Sequence, residues 1–352
     1  MKVALIGFGS SGRSTLYRAA AKGQAKGDVT SVPVPDERFD TIVAQVRPKK
    51  VTPAMVVLHD DIEAIQGGSP KIMGQRFLDG ARQAELLLHV VRAFESPMAP
   101  YYTEVDPLRD QRTVDEELVL VDQQVLENRL QRLTRSQNVK TPGHADYLEK
   151  LLFERILPQV EEGRPIRSLE MTEDEQTIVR NYQLLTAKPM VVAFNVSESE
   201  AGAAGEPIRA RMAELNKIGT PAFAVCATLE EEVSQLDAAD QPEFLADLGI
   251  EETAGAKLMK AVYDALGLIT FFTAGENETR AWPLREGSSA LKAAGTIHTD
   301  IAKGFIRAEV VHYEDYLAAG SLDAAYSAGK MHLEGKEYVI RDGDLLHIRN
   351  KS

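Results

Sequence analysis

Short apolar runs alternate with stretches of helical spacing in the first part of the chain, and the same alternation returns after residue 186. The runs have the length of strands, and they are Lys2–Ile6, Met55–Leu58, Leu86–Val91, Met190–Phe194 and Ala222–Val225. Continuous apolar strands are typical of parallel sheets, because helices cover both faces of such a sheet. The alternation therefore predicts an α/β fold with a mostly parallel sheet.

A different period begins at about Thr113. Apolar residues then recur at steps of three and four in two successive series, which are Val114, Leu118, Val121 and Val125, and then Leu126, Leu130 and Leu133. This spacing predicts a helix of coiled-coil type. A turn at Thr141-Pro142-Gly143 interrupts the pattern, which resumes over 147–160. We therefore predict a helical arm, residues 113–185, inserted into a sheet domain of residues 1–112 and 186–268. Two ordinary helices packed on that domain are the alternative.

The hydrophobic pattern changes again after Gly267, where short segments of alternating apolar and polar residues replace the helical spacing. Phe305–Val311 and Tyr338–Arg341 are strand candidates, and Asp342-Gly343-Asp344 carries a hairpin-type turn signal before a last strand. Residues 269–352 are therefore predicted to form a small β-rich domain.

Composition narrows the range of functions. The chain has 352 residues and a net charge of −13, so DNA binding is not expected and any RNA contact needs a local basic patch. The single cysteine, Cys226, excludes a disulfide within the chain and a cysteine-based zinc site. No apolar run approaches the ~20 residues that span a membrane. We therefore expect a cytoplasmic protein without membrane contact.

A glycine-rich segment between the first strand and the first helix fits two kinds of phosphate site. It matches the G-x-G-x-x-G dinucleotide fingerprint, and it also matches a Walker A loop with arginine in place of lysine. Both sites hold phosphate on backbone N–H groups at a helix N-terminus. The residues concerned are Gly7, Gly9, Ser10, Ser11, Gly12, Arg13, Ser14 and Thr15. A dinucleotide site also needs an acidic residue after the second strand, and Asp28 lies before the next strand candidate instead.

Polar segments that follow the later strands favour the Walker interpretation. Asp61-Ile62-Glu63-Ala64 stands where a P-loop NTPase carries D-x-x-G at its metal site. Asn195-Val196-Ser197-Glu198 stands at the position of the base-reading motif, and Cys226-Ala227-Thr228 at that of the loop that caps the base. Each segment is a weak signal alone, but their order after successive strands is a strong one.

At this point the chain resembles the YchF family of Obg-related P-loop ATPases over nearly its whole length. The segments that carry the resemblance include His89–Phe94, Asp106–Asp110, Phe272–Gly275, Ala294–Asp300 and, most specifically, Lys303–Val310. The resemblance implies an NTPase domain, a coiled-coil arm, and a C-terminal TGS domain of β-grasp type. It also implies association with the ribosome or the translation machinery.

The N-x-x-E motif implies a preference for ATP, with GTP as the second candidate. Asn195 could serve the adenine N6 and N7 atoms together. Val196 replaces the lysine that flanks the base, and Glu198 need not face it. Ser14 and Asp61 are the residues expected to hold Mg²⁺.

Three departures from the family pattern predict weakened hydrolysis. Arg13 replaces the Walker lysine, and Ala64 replaces a glycine at the γ-phosphate end of the site. Only fifteen residues separate Leu16 from Val32, which leaves no room for the switch I loop, and Thr30 is a poor substitute for its metal-binding threonine. A non-catalytic ribosome-binding or RNA-binding scaffold is therefore the alternative, and a dinucleotide-binding protein is a remote one.

A basic patch near the tip of the arm is the candidate partner surface. It comprises Arg129, Arg132, Arg135 and Lys140, and no acidic residue lies between 129 and 140. Spacings of three place the arginines on roughly one helix face. Phosphate contacts there would give salt-dependent binding, whereas the alternative is a solvated polar face.

Overall fold

A computed structural model describes residues 1–22, 25, 27–69, 72–236, 240–250 and 252–351. The strands are β1 (Lys2–Ile6), β2 (Val29–Pro33), β3 (Val51–Thr52), β4 (Met55–His59), β5 (Leu86–Ala93), β6 (Met190–Val196), β7 (Ala222–Val225), β8 (Leu268–Thr273), β9 (Thr279–Arg285), β10 (Phe305–Val311), β11 (His332–Glu334) and β12 (Leu345–Asn350).

The helices are α1 (Arg13–Ala20), α2 (Glu37–Val46), α3 (Gln75–Gln83), α4 (Pro107–Leu133), α5 (Ala145–Glu161), α6 (Glu173–Asn181), α7 (Glu206–Lys217), α8 (Ala227–Val233), α9 (Gln241–Asp247), α10 (Ala254–Leu266), α11 (Ala290–Ile297), α12 (Thr299–Lys303), α13 (Tyr313–Ala319) and α14 (Leu322–Ser327). Single 3₁₀ turns lie at Gln137–Lys140, Ile166–Ser168 and Glu198–Glu200.

The chain divides into two compact units. The first comprises Met1–Ser31 and Val57–Ala265, and the second comprises Val32–Val56 and Leu266–Ser352. The sequence prediction assigned residues 32–56 to the sheet domain, whereas contacts group them with the C-terminal residues. It also separated residues 113–185 as an arm, and these lie within the first unit.

The first sheet has the strand order β2-β4-β1-β5-β6-β7. Strand β1 lies between β4 and β5, and the pairs from β4 to β7 are parallel. Strands β5 and β6 are almost wholly buried, as their continuous apolar sequences predict. The predicted α/β fold with a mostly parallel sheet is therefore confirmed. Parallel strands aligned in this way place their carboxyl ends at one edge, where the predicted site residues lie.

Helices α4 and α5 form the arm. Val114 and Leu118, near the start of α4, pack into the core beneath the sheet. Farther along α4, Leu126 packs in a separate cluster with Phe153 and Ile156 of α5. Buried Asp122 accepts hydrogen bonds from the backbone N–H groups of residues 185 and 186 at 2.8 and 2.6 Å. The helix that begins the arm is thus continuous from the core of the unit outward.

The second sheet has the order β11-β10-β12-β8-β9-β3. Most of its pairs are antiparallel, but β12–β8 and β3–β9 are parallel. Helix α2 covers part of this unit: its Phe39 stacks on Phe272 of β8 at 6.0 Å between ring centroids. Arg38 binds Asp342 at 2.7 Å.

The predicted strand at Tyr338–Arg341 is wrong, and so is the hairpin built on it. Only Val339 makes an isolated bridge there, and β12 pairs with β10 instead. The buried carboxylate of Asp344 accepts hydrogen bonds from the Tyr338 hydroxyl and the Arg341 backbone N–H at 3.0 and 2.9 Å. These bonds close the segment into a loop. No helix in the described part of the chain is long and apolar enough to cross a membrane.

Candidate nucleotide site

The loop between β1 and α1 has the backbone shape of a phosphate cradle. Gly7, Ser10 and Gly12 have φ values of 155°, 62° and 83°. When left-handed and right-handed backbone conformations alternate, successive N–H groups point to the same side. They then form an anion-binding concavity. Gly9 and Ser10 are exposed at the mouth of the loop, and so is Ser14 in the first turn of α1. The loop can therefore be reached by a phosphate group.

Asn195 joins the loop to the segment that follows β7. Its Nδ2 donates to the Ser11 carbonyl at 3.0 Å, and its Oδ1 accepts from the Ala227 N–H at 2.9 Å. A Cβ at position 12 would lie 2.0 Å from that Nδ2, so only glycine fits there. The amide retains one N–H and one lone pair beyond these bonds. The predicted base-reading role is thus compatible with the geometry but remains a prediction.

The other residues of the predicted base site separate into buried and exposed ones. Val196 is 2% exposed and packs in the core, so it does not flank a ligand. Glu198 is exposed at the start of a 3₁₀ turn. Cys226 caps the N-terminus of α8, with Ala227 and Thr228 in its first turn. Burial raises the pKa of the Cys226 thiol, which favours the protonated thiol over the nucleophilic thiolate.

A buried arginine that the sequence analysis did not single out supports the loop from below. Arg92 is 1% exposed and donates to the carbonyls of Ser10, Ala99 and Phe94 at 3.0, 2.8 and 3.0 Å. Its guanidinium also lies 4.5 Å from the Phe94 ring centroid. One side chain thus holds Ser10 in its left-handed conformation, which costs a non-glycine residue of order 1 kcal/mol or more. An arginine ending an apolar strand was the available sequence signal.

Two backbone hydrogen bonds join the segment after β4 to the phosphate loop. Ile65 donates its N–H to the Gly7 carbonyl at 3.0 Å, and its carbonyl accepts from the Gly9 N–H at 3.3 Å. Phe8, between them, stacks on Tyr102 with 4.9 Å between centroids. One N–H of the predicted cradle, that of Gly9, is therefore bonded within the protein. Ala64 directly precedes Ile65, which makes these two hydrogen bonds.

Arg13 does not project freely toward a phosphate position. Its Nε binds the Asp60 carboxylate at 2.7 Å, with the two side chains 15% and 8% exposed. Its Nη1 is buried and has no hydrogen-bond partner among the described residues. The residue that stands in for the Walker lysine is thus held by an ion pair.

Asp60, and not Asp61, is the carboxylate that the structure brings to the loop. Asp61 is 46% exposed and lies 3.2 Å from the Nδ1 of His59. Asp60 is already neutralised by Arg13, and Ser14 is a single hydroxyl on the surface. No group of three metal-ligating His, Cys, Asp or Glu side chains occurs in the described ranges. The donors present fit a phosphate cradle, but they do not fit a Mg²⁺ site built on Ser14 and Asp61.

The basic patch on the arm also divides into two kinds of residue. Arg129 binds Glu149 through Nε and Nη2 at 2.6 and 3.0 Å, and so joins α4 to α5. Arg132, Arg135 and Lys140 are exposed. No ion pair involves these three within the part of the chain that the structure describes. They alone are free to meet a partner.

Comparison with known proteins gives matches along the whole chain. Residues 268–351 match the family model YchF-GTPase_C, described as "Protein of unknown function (DUF933)". The ribosome-binding ATPase YchF of Bacillus subtilis is 37% identical over 98% of both chains. Its namesake from Haemophilus influenzae is 36% identical over 99% of this chain and 98% of its own.

A solved structure shows the same architecture. The YchF GTPase of Schizosaccharomyces pombe superposes with a TM-score of 0.87 and 29% identity, covering 99% of this chain and 97% of its own. Together with the strand order, this likeness confirms the predicted P-loop NTPase fold with a helical insertion and a C-terminal TGS domain.

Proposed function

The chain belongs to the YchF family, and we propose from this that it is an adenine-nucleotide-binding protein associated with the ribosome, with weakened ATP hydrolysis. The observation that carries the proposal is the linkage made by Asn195. This one amide bonds both the phosphate loop and the segment after β7. It supports a continuous surface for the phosphates and the base of one nucleotide.

Binding of the phosphates would rest on the backbone of residues 7–15. The N–H groups of Gly12, Arg13 and Ser14 lie where the loop enters α1, and the helix dipole favours an anion there. The free N–H and lone pair of Asn195 would meet adenine, which presents an acceptor and a donor together. Glu198 is exposed and need not face the base, which supports ATP over GTP as the ligand.

Weak hydrolysis follows from what the loop lacks. Phosphoryl transfer relies on groups positioned around the charge that spreads over the transferred phosphate. Arg13 is held by Asp60 at 2.7 Å, and the Gly9 N–H is bonded to Ile65. Mg²⁺, when bound, would neutralise phosphate charge, but Asp60 is paired and Asp61 is turned toward His59. These contacts leave binding intact and disfavour turnover.

Calorimetric titration of nucleotide-stripped protein with ATP, GTP and NADH tests this proposal. We expect ATP to bind at least tenfold more tightly than the other two. In the presence of Mg²⁺, Arg13→Lys should then tighten ATP binding severalfold, because lysine is the compact cation that a Walker loop carries together with the metal. Lys22→Arg, an exchange between the same residue types on an exposed position, is the matched control. A preference for NADH would overturn the proposal.

The second candidate function is a non-catalytic scaffold that presents the arm and the TGS domain to a partner. The Arg13–Asp60 ion pair favours it, because the carboxylate offsets the positive charge that a Walker lysine would present to phosphate. Complete failure of ATP and GTP to bind, together with retained ribosome binding in cosedimentation, would select this candidate.

A further inference from the structure

The cation at the Walker lysine position and a carboxylate that follows β4 are bonded to each other. In a Walker-type site the lysine contacts phosphate oxygens, and a carboxylate after a neighbouring strand helps to hold the metal. Here Arg13 stands at the lysine position and Asp60 follows β4, and Nε and Oδ1 lie 2.7 Å apart. Both side chains are largely buried, so water screens their pair only weakly.

With this ion pair, the positive charge in the site is that of the Arg13 guanidinium. A guanidinium stays protonated at every physiological pH, so Arg13 supplies a permanent cation beside the loop. Asp60 cannot at the same time serve Arg13 and hold a divalent ion without placing two cations on one carboxylate. The nearest other carboxylate after β4, that of Asp61, is half-exposed and lies beside His59.

Arg13 also has an unused donor. Its Nη1 is buried without a hydrogen-bond partner among the described residues. A guanidinium presents five N–H donors in a planar fork that suits phosphate oxygens. The Asp60 carboxylate engages the Nε side and leaves Nη1 for another acceptor. A buried donor without a partner is costly, so an incoming phosphate oxygen would remove that cost.

We propose that Arg13, oriented by Asp60, takes the place of Mg²⁺ in this site, so that the protein binds nucleoside di- and triphosphates in their metal-free form. The proposal rests on the proposed nucleotide-binding function and specifies the state of the ligand. The guanidinium provides the positive charge that the metal provides elsewhere, and Mg²⁺ gives no gain in affinity.

The first test needs no variant. ATP is titrated into the full-length protein once with excess EDTA and once with 5 mM Mg²⁺, at the same ionic strength. We expect the affinity in EDTA to equal or exceed that in Mg²⁺. Binding that is threefold or more tighter with Mg²⁺ overturns the inference but leaves the proposed function standing. Absence of ATP binding under both conditions rejects the proposed function and the inference with it.

The second test removes the negative charge of Asp60. In Asp60→Asn the amide oxygen can still accept from Nε, so Arg13 keeps its orientation while its charge is no longer neutralised. Metal-free ATP should bind about fivefold more tightly, as expected for a modest Coulomb gain near a protein surface. If Asp60 were a metal ligand instead, the same variant would weaken binding in Mg²⁺, which would overturn the inference.

Asp28→Asn is the matched control for a general change in net charge. Asp28 is exposed, and its carbonyl accepts from the Asp60 N–H at 2.8 Å, so it lies close to the site. A gain confined to Asp60→Asn supports a specific effect on Arg13, whereas an equal gain in both variants overturns it. Thermal unfolding of each variant confirms that the comparison is made between folded proteins.

Discussion

At the scale of single residues, a buried charge and a buried neutral ring flank the phosphate loop. Arg92 has backbone carbonyls and aromatic rings around it, and no carboxylate lies at ion-pair distance among the described residues. Its charge is stabilised by hydrogen bonds and ring faces, which can compensate a cation inside a protein. Near it on β5, the ring of His89 is fully buried, and neither nitrogen has a hydrogen-bond partner among the residues that the structure describes.

His89 makes stability depend on pH. Burial lowers the pKa of His89 to about 3 from an ordinary value of 6.5. Below pH 6.5, His89 therefore binds a proton in the unfolded chain but not in the folded chain. Stability is lost as the pH falls from 6.5 toward 3. His89→Leu should remove this loss. The variant should gain about 2 kcal/mol over the parent between pH 7 and pH 5 in urea unfolding. Parallel pH profiles of the two proteins would contradict this expectation.

Glycines after a first strand and a polar residue after a later strand are strong local signals, and on these signals the sequence nominates the loop residues and Asn195 as a candidate site. It nominated Asp61, whereas the carboxylate bonded to Arg13 is that of Asp60. Adjacent residues at a strand end point to opposite sides, and the side that faces the loop depends on the last pair of the ladder. Arg92 was missed as a site residue for a related reason, since its partners are backbone atoms distant in sequence.

At the scale of elements, the arm depends on a contact between Arg129 and Glu149 that the spacing of the basic residues does not predict. Arg129 shares a helix face with Arg132, yet it turns inward to Glu149, which is 8% exposed. The hydroxyl of Tyr182 also donates a hydrogen bond to this carboxylate. Burial is the larger cause and this hydrogen bond the smaller cause that raise the pKa of Tyr182 to about 12. Helical spacing predicts a shared face, but an acidic partner on α5 decides where one arginine points.

Removal of the three outward cations should weaken the proposed ribosome binding without unfolding the arm. Combined replacement of Arg132, Arg135 and Lys140 by alanine should lower affinity in cosedimentation. It should also reduce the slope of log affinity against log salt by about 1 for each phosphate that the variant no longer neutralises. Arg129→Met is the contrast: it should cost about 2 kcal/mol of stability because Glu149 loses its charged hydrogen-bond donor, with the salt slope unchanged. An unaltered slope in the triple variant would favour a solvated polar face.

At the scale of the whole molecule, the C-terminal unit is completed by a segment from near the N-terminus. Phe39 and Ile42 of α2 are buried in a cluster with Phe272 of β8, and β3 extends the second sheet beside β9. The sequence analysis did not single out α2, and an amphipathic helix does not specify what it covers, because one apolar face fits many others. Which unit it joined was decided by tertiary packing.

A fragment of residues 266–352 should therefore be incomplete. Alone it lacks Phe39 and Ile42, each of which contributes about 1.5–3 kcal/mol when buried. We expect it to unfold at a low temperature without a sharp transition, and a peptide of residues 32–56 should restore cooperativity in circular dichroism. The same peptide with Phe39→Ser and Ile42→Ser is the control. A sharp transition of the fragment alone, unchanged by peptide, would show that the segment is dispensable.

The discontinuous C-terminal unit also sets an order of events during synthesis. Residues 32–56 emerge from the ribosome early, but their packing partners begin at Leu266. At about 5–20 residues per second, the 210 residues from 56 to 266 take roughly 10–40 s to make. During that interval α2 has no surface of its own unit to cover. The nascent chain thus exposes an apolar helix that chaperones can recognise, and the newly made protein matures only after its last domain is released.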